Sequence, residues 1–221
     1  MDVKERLKRW SKLRFAIIYP LGVFAILFSN SDDRSIMRSV WFILFGLVIR
    51  LWANGYAIKM DKLTTSGPYA FIRHPLYVGT MLIAVGFIIM LKIYDIGTLF
   101  IILMAIVYYR TIKKEESMLE VKFRDEYLKY KKKVPAIFPT ISAYREGEKW
   151  PFSFRRLIRN HEYKPFLWVI ILTIAFHLKD EIMVEHETMD AKILMLLVVA
   201  FILGIFDLAG EFIKHKKKQF I

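Results

Sequence analysis

The chain has no cysteine among its 221 residues. That excludes disulfides, thiolate metal sites and a cysteine nucleophile, and leaves the redox compartment open. Histidine is scarce as well. His161, His177, His186 and His215 stand at no spacing that would let two of them share a metal, and His177 reads as an interfacial residue in an apolar run. No metal partner is therefore expected. The sequence also lacks a phosphate-binding loop, a hydrolase nucleophile elbow, internal repeats and low-complexity tracts. No cleavable signal peptide is expected, because the first apolar run, from Phe15, is not followed by a small-residue cleavage site. Acidic residues are the last shortage: 21 Asp and Glu stand against 34 Lys and Arg, a net charge of +13. Such an excess often signals nucleic acid. Here 56% of residues are hydrophobic and the charges lie in blocks between apolar runs. Lys and Arg placed that way set membrane orientation and touch anionic headgroups, so no nucleic-acid partner is expected.

What is present is a series of six apolar runs, at 15–28, 40–58, 76–91, 93–109, 165–178 and 193–206. Several are shorter than the roughly 20 residues of a spanning helix, and flanking residues such as Arg14, Lys59 and Lys214 can snorkel to extend them. Six spans would place every basic segment on one side: the N-terminus, the loop with Lys59, Lys62 and Arg73, the block 110–164, and the tail. The acidic connection 179–190 and the polar turn 29–35 fall on the other. The positive-inside rule makes the basic side cytoplasmic, with both termini inside. The fold class read from this is all-α: a polytopic helical membrane protein of about six transmembrane helices with cytoplasmic interfacial helices. Interfacial helices are expected at 1–14, with Leu7 and Trp10 on the apolar side, and within 150–163. Between them, residues 113–133 carry Met118, Leu119, Phe123, Tyr127 and Tyr130 at spacings of three and four, a helical stripe that Val134-Pro135 should end. Arg50 lies inside the second run. A charge at that depth is costly and often functional; the plainer expectation is that it snorkels at the cytoplasmic interface. Asp207 and Glu211, four apart, form at most a polar helix face.

Two polar clusters interrupt the apolar pattern. The loop 65–80 reads TTSGPYAFIRHPLYVG. Its prolines restrict the backbone, its glycines permit turns or close approach, Arg73 and His74 offer donors, and its tyrosines offer ring faces and hydroxyls. Taken alone it could be an ordinary interhelical loop with a basic anchor. Glu115-Glu116 follows the fourth run and taken alone reads as a solvated helix start. The hairpin between them returns the chain to the same side, so the two clusters can meet.

At this point a family resemblance emerges. Gly67-x-Tyr69, then Arg73-His74-Pro75-x-Tyr77-x-Gly79, then Glu115-Glu116-x-x-Leu119, then Glu126-Tyr127-x-x-Tyr130 and Val134-Pro135 resemble the isoprenylcysteine carboxyl methyltransferases, with an ending shared by the phospholipid N-methyltransferases. The resemblance covers roughly 40–140. It implies an integral membrane enzyme using S-adenosylmethionine, with a core at 38–140, an N-terminal interfacial helix and first span at 1–37, and an interfacial segment plus two added spans at 141–221. It further implies that Lys62, Leu63, Tyr69, His74, Pro75, Leu76, Tyr77 and Glu115 line the cofactor pocket, and that Glu116, Arg73 and Arg110 act at the reaction. In the carboxyl methyltransferases an arginine four residues before the first glutamate faces the substrate carboxylate; here that place is Thr111, and Arg110 is one place away. Lys131, Lys132 and Lys133 offer charge for an acidic headgroup.

The chemistry of the residues agrees. Glu115 can accept from ribose hydroxyls or the cofactor's ammonium, His74 or Arg73 can donate to its carboxylate, and tyrosine faces suit a sulfonium. The expected acceptor is lipid-like, entering sideways from the bilayer. Carboxyl O-methylation of an isoprenoid-type substrate is the first expectation and N-methylation of a phospholipid amine the alternative. A non-enzymatic membrane scaffold retaining only the fold is a third reading. A sterol-type reductase would need nicotinamide binding, for which the sequence shows no phosphate-recognition signal.

Overall fold

The computed structural model describes residues 31–58, 62–159, 164–183 and 198. The expected N-terminal interfacial helix, the first apolar run, nearly all of the sixth, and the basic tail lie outside the described residues. Among the described residues every regular element is helical.

Helix α1 is Asp33–Tyr56. It starts in a capping box: the Asp32 carboxylate accepts from the Ser35 amide at 2.7 Å, and the Ser35 hydroxyl accepts from the Asp32 amide at 3.0 Å. One face buries Ser39, Ile43, Gly46, Leu47, Ala53 and Asn54. The other exposes Met37, Trp41, Phe45, Val48 and Trp52, at helical spacings of three and four. Beyond Arg34 and Arg38 in its first turns, this exposed face is apolar, which suits lipid rather than water.

Helix α2, Pro75–Met90, begins with proline at its first position, where no backbone donor is lost, and runs antiparallel to α1. The two backbones touch. A Cβ on Gly46 would stand 2.6 Å from the Gly79 carbonyl oxygen, and one on Gly79 would stand 2.8 Å from the Gly46 oxygen. Such close approach of helices through small residues is how membrane bundles gain packing when lipid removes the hydrophobic drive. At the hairpin end the pair is latched: the Ser35 hydroxyl donates to the Met90 carbonyl at 2.8 Å, and Lys92 pairs with Asp32.

Helix α3 is Tyr94–Lys133, 40 residues. Its unbroken part, 94–123, extends about 45 Å at 1.5 Å per residue, longer than the hydrocarbon thickness of a bilayer. The fourth apolar run therefore continues without a break into the first part of the 113–133 stretch, and Glu115-Glu116 lies in mid-helix rather than at a helix start. A break comes at Arg124 (φ 45, ψ −120), where the chain folds back. The consequence is visible in charge contacts: Lys131 reaches Glu120, 11 residues earlier, which a straight helix would hold about 16 Å away. Folding back carries Tyr127, Tyr130 and Val134 onto Leu63, Ala70 and Tyr144, the main core below the spans.

After α3 the chain runs extended beside the motif loop. Arg73 and His74 amides donate to the Pro135 and Ala136 carbonyls at 2.9 and 3.1 Å, and Thr140 and Tyr144 amides donate to Phe71 and Ala70 at 2.9 and 2.8 Å. The helix expected within 150–163 is observed as α4, Phe154–Arg159, pinned to the end of α1 by the Ser153 amide on the Gly55 carbonyl. Helix α5, Lys164–Met183, lies along the α1–α2 pair: Phe166 and Val169 pack on Ile43, Leu47 and Ile83, and Phe176 on Met90 and Leu91. Among the described residues, α1 and α3 are long and apolar enough to cross a membrane; α2 and 166–178 are shorter apolar helices.

Candidate active site

The two polar clusters meet at the motif end of the α2–α3 hairpin. His74, the residue before α2, is buried, with Nδ1 3.6 Å from a Glu115 carboxylate oxygen and Nε2 3.5 Å from Glu116. Glu115 is more open, 39% exposed, and accepts from the Tyr77 hydroxyl at 2.6 Å. The Tyr77 ring lies 4.6 Å from the Tyr108 ring and 5.8 Å from that of His74. One patch therefore combines a carboxylate facing outward, an imidazole, and a pair of ring faces, contributed by the start of α2 and by two turns of α3.

Below it sits a buried charge network. Glu116 is 5% exposed and takes two hydrogen bonds from the Arg73 guanidinium, with Lys131 at 3.3 Å. Burial alone would raise the Glu116 carboxyl; the Arg73 hydrogen bonds and charge, with Lys131, overcome that and hold it below its ordinary value. Arg73 also donates to the Lys131 and Val134 carbonyls, closing the C-terminal end of α3. For His74, burial is the largest cause and pushes the imidazole down. Glu116 pulls it up, Arg73 pushes it further down, and the balance is about 4. The imidazole is neutral near pH 7. Its Nε2 is buried without a hydrogen-bond partner, an orphan in a fold where such groups are normally satisfied.

The other expected site residues divide. Pro75 is buried at the start of α2, and the Leu76 carbonyl accepts from the Thr80 hydroxyl at 2.8 Å. Tyr69 sits in the short 3-10 turn Gly67–Ala70, its carbonyl accepting from the Tyr130 hydroxyl at 2.6 Å. Leu63 is in the tyrosine core, and Lys62 is exposed and paired with Glu148 at 2.6 Å. Neither is brought against His74. Arg110 is exposed. At about 100° per residue it lies roughly 140° around α3 from Glu115, whereas Thr111 lies only about 40° away. Along the unbroken helix between them, Thr111 and not Arg110 shares the face of Glu115. Of the three lysines, Lys131 and Lys133 are engaged by carboxylates, the latter by Glu146, and Lys132 remains exposed.

Arg50 packs on α2: its guanidinium donates to the Thr80 hydroxyl at 2.6 Å and to the Leu76 carbonyl at 3.4 Å, clamping α1 to the turn of α2 that carries Tyr77. Tyr108 was missed in the sequence. Its signal was weak, since aromatic residues near a span's end belong to the usual interfacial belt.

The phospholipid methyltransferase family model matches residues 35–126, which contain every residue of this cluster except Lys131. Residues 35–126 are thus similar to a phospholipid methyltransferase domain. The cobalt-zinc-cadmium resistance protein CzcN of Cupriavidus metallidurans is 33% identical over 134 residues, 58% of this chain and 61% of its own length. The nickel-cobalt-cadmium resistance protein NccN of Alcaligenes xylosoxydans is 32% identical over 128 residues, 57% of this chain and 59% of its own length. The protein-S-isoprenylcysteine O-methyltransferase of Schizosaccharomyces pombe is 38% identical over 83 residues, 38% of this chain and 35% of its length. The match thus spans about three-fifths or less of these relatives. No solved structure matches. Among the described residues no group of three His, Cys, Asp or Glu is arranged to hold a metal ion.

Proposed function

We propose that this chain is a multi-pass membrane methyltransferase that takes methyl from S-adenosylmethionine and gives it to a lipid-like acceptor, with six spans, both termini cytoplasmic and the site at the cytoplasmic face. The observation that carries the reading is the convergence of His74, Tyr77 and Glu115 from the two ends of one hairpin. The residues fit the cofactor. Glu115 offers a carboxylate for its ammonium or ribose hydroxyls, and the Tyr77–Tyr108 pair offers ring faces to a cation. When bound, the cofactor supplies an electrophilic methyl on a sulfonium. The protein's own contribution is alignment and exclusion of water. Glu116, Arg73 and Lys131 hold the loop to α3 and thereby hold His74; they are positioning residues. Arg50 does the same for Tyr77 from the membrane side.

The first reading of the acceptor is an isoprenoid-type carboxylate, which the names of the prenylcysteine-methylating relatives support. Such a nucleophile needs no general base. The second is a phospholipid amine. One observation favours it: Thr111 stands on the site face and Arg110 does not, so the place that would meet a carboxylate carries no cation. Incubation of membranes containing the full chain with methyl-labelled cofactor, followed by lipid extraction and mild base, separates the two. Label released as methanol supports the ester; label stable in the lipid supports the amine. No label in either fraction, with cofactor binding also absent, leaves the scaffold reading.

A further inference from the structure

A cleft of about 350 Å³ opens at the end of α1, lined by none of the residues of the His74–Glu116 cluster. Trp52, Tyr56, Phe71, Tyr144 and Trp150 give it an aromatic lining, and Arg145 and Lys149 line it as well. Its walls are fixed in place. The Ser66 hydroxyl donates to the Glu148 carbonyl and accepts from the Trp150 amide, both at 3.1 Å, and the Trp150 indole donates to the Tyr56 carbonyl at 2.9 Å. Gly67 has φ +60, and a Cβ there would lie 2.4 Å from the Tyr56 ring, so only glycine lets that ring close against the loop.

Two features point to the occupant. The first is charge. The neighbouring carboxylates are committed elsewhere, Glu146 to Lys133 and Glu148 to Lys62. Among the described residues no carboxylate pairs with Arg145 or Lys149, so the cleft is net positive. The second is continuity. The exposed apolar face of α1, Met37–Trp41–Phe45–Val48, leads directly to Trp52, which is both the last residue of that face and a wall of the cleft. A chain lying along that face would place whatever it carries at its polar end beside Arg145 and Lys149.

We infer that this cleft binds the headgroup of an anionic phospholipid, its phosphate between Arg145 and Lys149 and its acyl chain along the outer face of α1. The inference rests on the membrane reading of the chain but not on methyl transfer. It is a binding site, formed by hydrogen bonds and charge with no covalent step.

The test is native mass spectrometry of the full-length protein released from nanodiscs of phosphatidylcholine with added phosphatidylglycerol. Three forms are compared: the wild type, the double variant R145Q/K149Q, and a control, K122Q/K129Q, that removes two exposed cations elsewhere. The expected result is one phosphatidylglycerol retained by wild type and control, and retention at least about tenfold weaker in the cleft variant. Trp52→Ala, at the lipid-facing wall, should weaken retention too. Equal retention by all forms, or equal loss from both double variants, overturns the proposal. So does saturable binding of inorganic phosphate at the cleft with no preference for phosphatidylglycerol, since the lipid would then not be the source. Calorimetry of S-adenosylmethionine binding to the same variants, expected unchanged, separates failure here from failure of the proposed function.

Discussion

An ion pair lies just beyond each end of α2, Lys92–Asp32 to the start of α1 and Arg73–Glu116 to α3, and the two differ in almost every respect. At the hairpin end, Lys92 and Asp32 are 38% and 47% exposed, and the pair joins two otherwise simple caps. At the motif end, Arg73 and Glu116 are 9% and 5% exposed, and each makes further contacts: Arg73 to two helix-terminal carbonyls, Glu116 to Lys131 and near His74. An exposed pair is screened by water and contributes little. A buried pair contributes little net stability against an apolar replacement, yet its loss strands a charge. The lesson is that the motif arginine is placed for geometry: it fixes the loop against α3 and so sets where His74 and Glu115 stand.

The largest effect expected from breaking this contrast is at Arg73. Arg73→Met should destabilise the fold by about 3–5 kcal/mol through the stranded Glu116 carboxylate. Arg73→Met with Glu116→Leu should recover part of that, read by thermal unfolding in detergent. Equal melting of R73M and wild type would break the distinction between the two ends. Next is Glu115→Gln, which should weaken S-adenosylmethionine binding by about 10- to 100-fold, as loss of a charge-assisted contact does, while moving the melting temperature little. Glu115 is 39% exposed, so the Tyr77 hydroxyl that donates to it is not stranded by the change.

A pH profile sharpens the comparison further. His74 is held down to about 4 chiefly by burial, against the ordinary 6.5 of an imidazole, so between those values the unfolded chain binds the proton and the folded chain does not. Stability should therefore fall as pH drops from about 6.5 toward 4, by at most about 1.4 kcal/mol per unit from this group. Glu116, held low by Arg73 and Lys131 against its burial, adds a loss of the same sign as pH falls through its folded value. His74→Asn should flatten the upper part of the profile; an unchanged slope would remove His74 from the account. The smallest effect is at the other end: Lys92→Ala should cost no more than about 1 kcal/mol, and less in high salt.

Much of the site was legible beforehand because it depended on topology. A hairpin of two apolar runs must bring its ends to one side, so His74 and Glu115 had to be near each other. The second, third and fourth runs were read from hydropathy, which reports what lipid tolerates. Three things were hidden. The fold-back at Arg124 has no proline or glycine to announce it, and the apolar stripe of 118–130 continues through it in register. Two of the partners of Arg73 are backbone carbonyls, which carry no side-chain signature. Arg110 and Thr111 differ by one place in sequence but by about 100° around a helix, and only the continuity of α3 through that point decides which faces the site.

The most direct measurement is calorimetric titration of the full-length detergent-solubilised protein with S-adenosylmethionine, in wild type, Glu115→Gln and Lys92→Ala. The account predicts saturable one-site binding, about tenfold or more weaker in the Glu115 variant and unchanged in the Lys92 variant. No binding to a folded wild type, or equal affinity in all three, would contradict it.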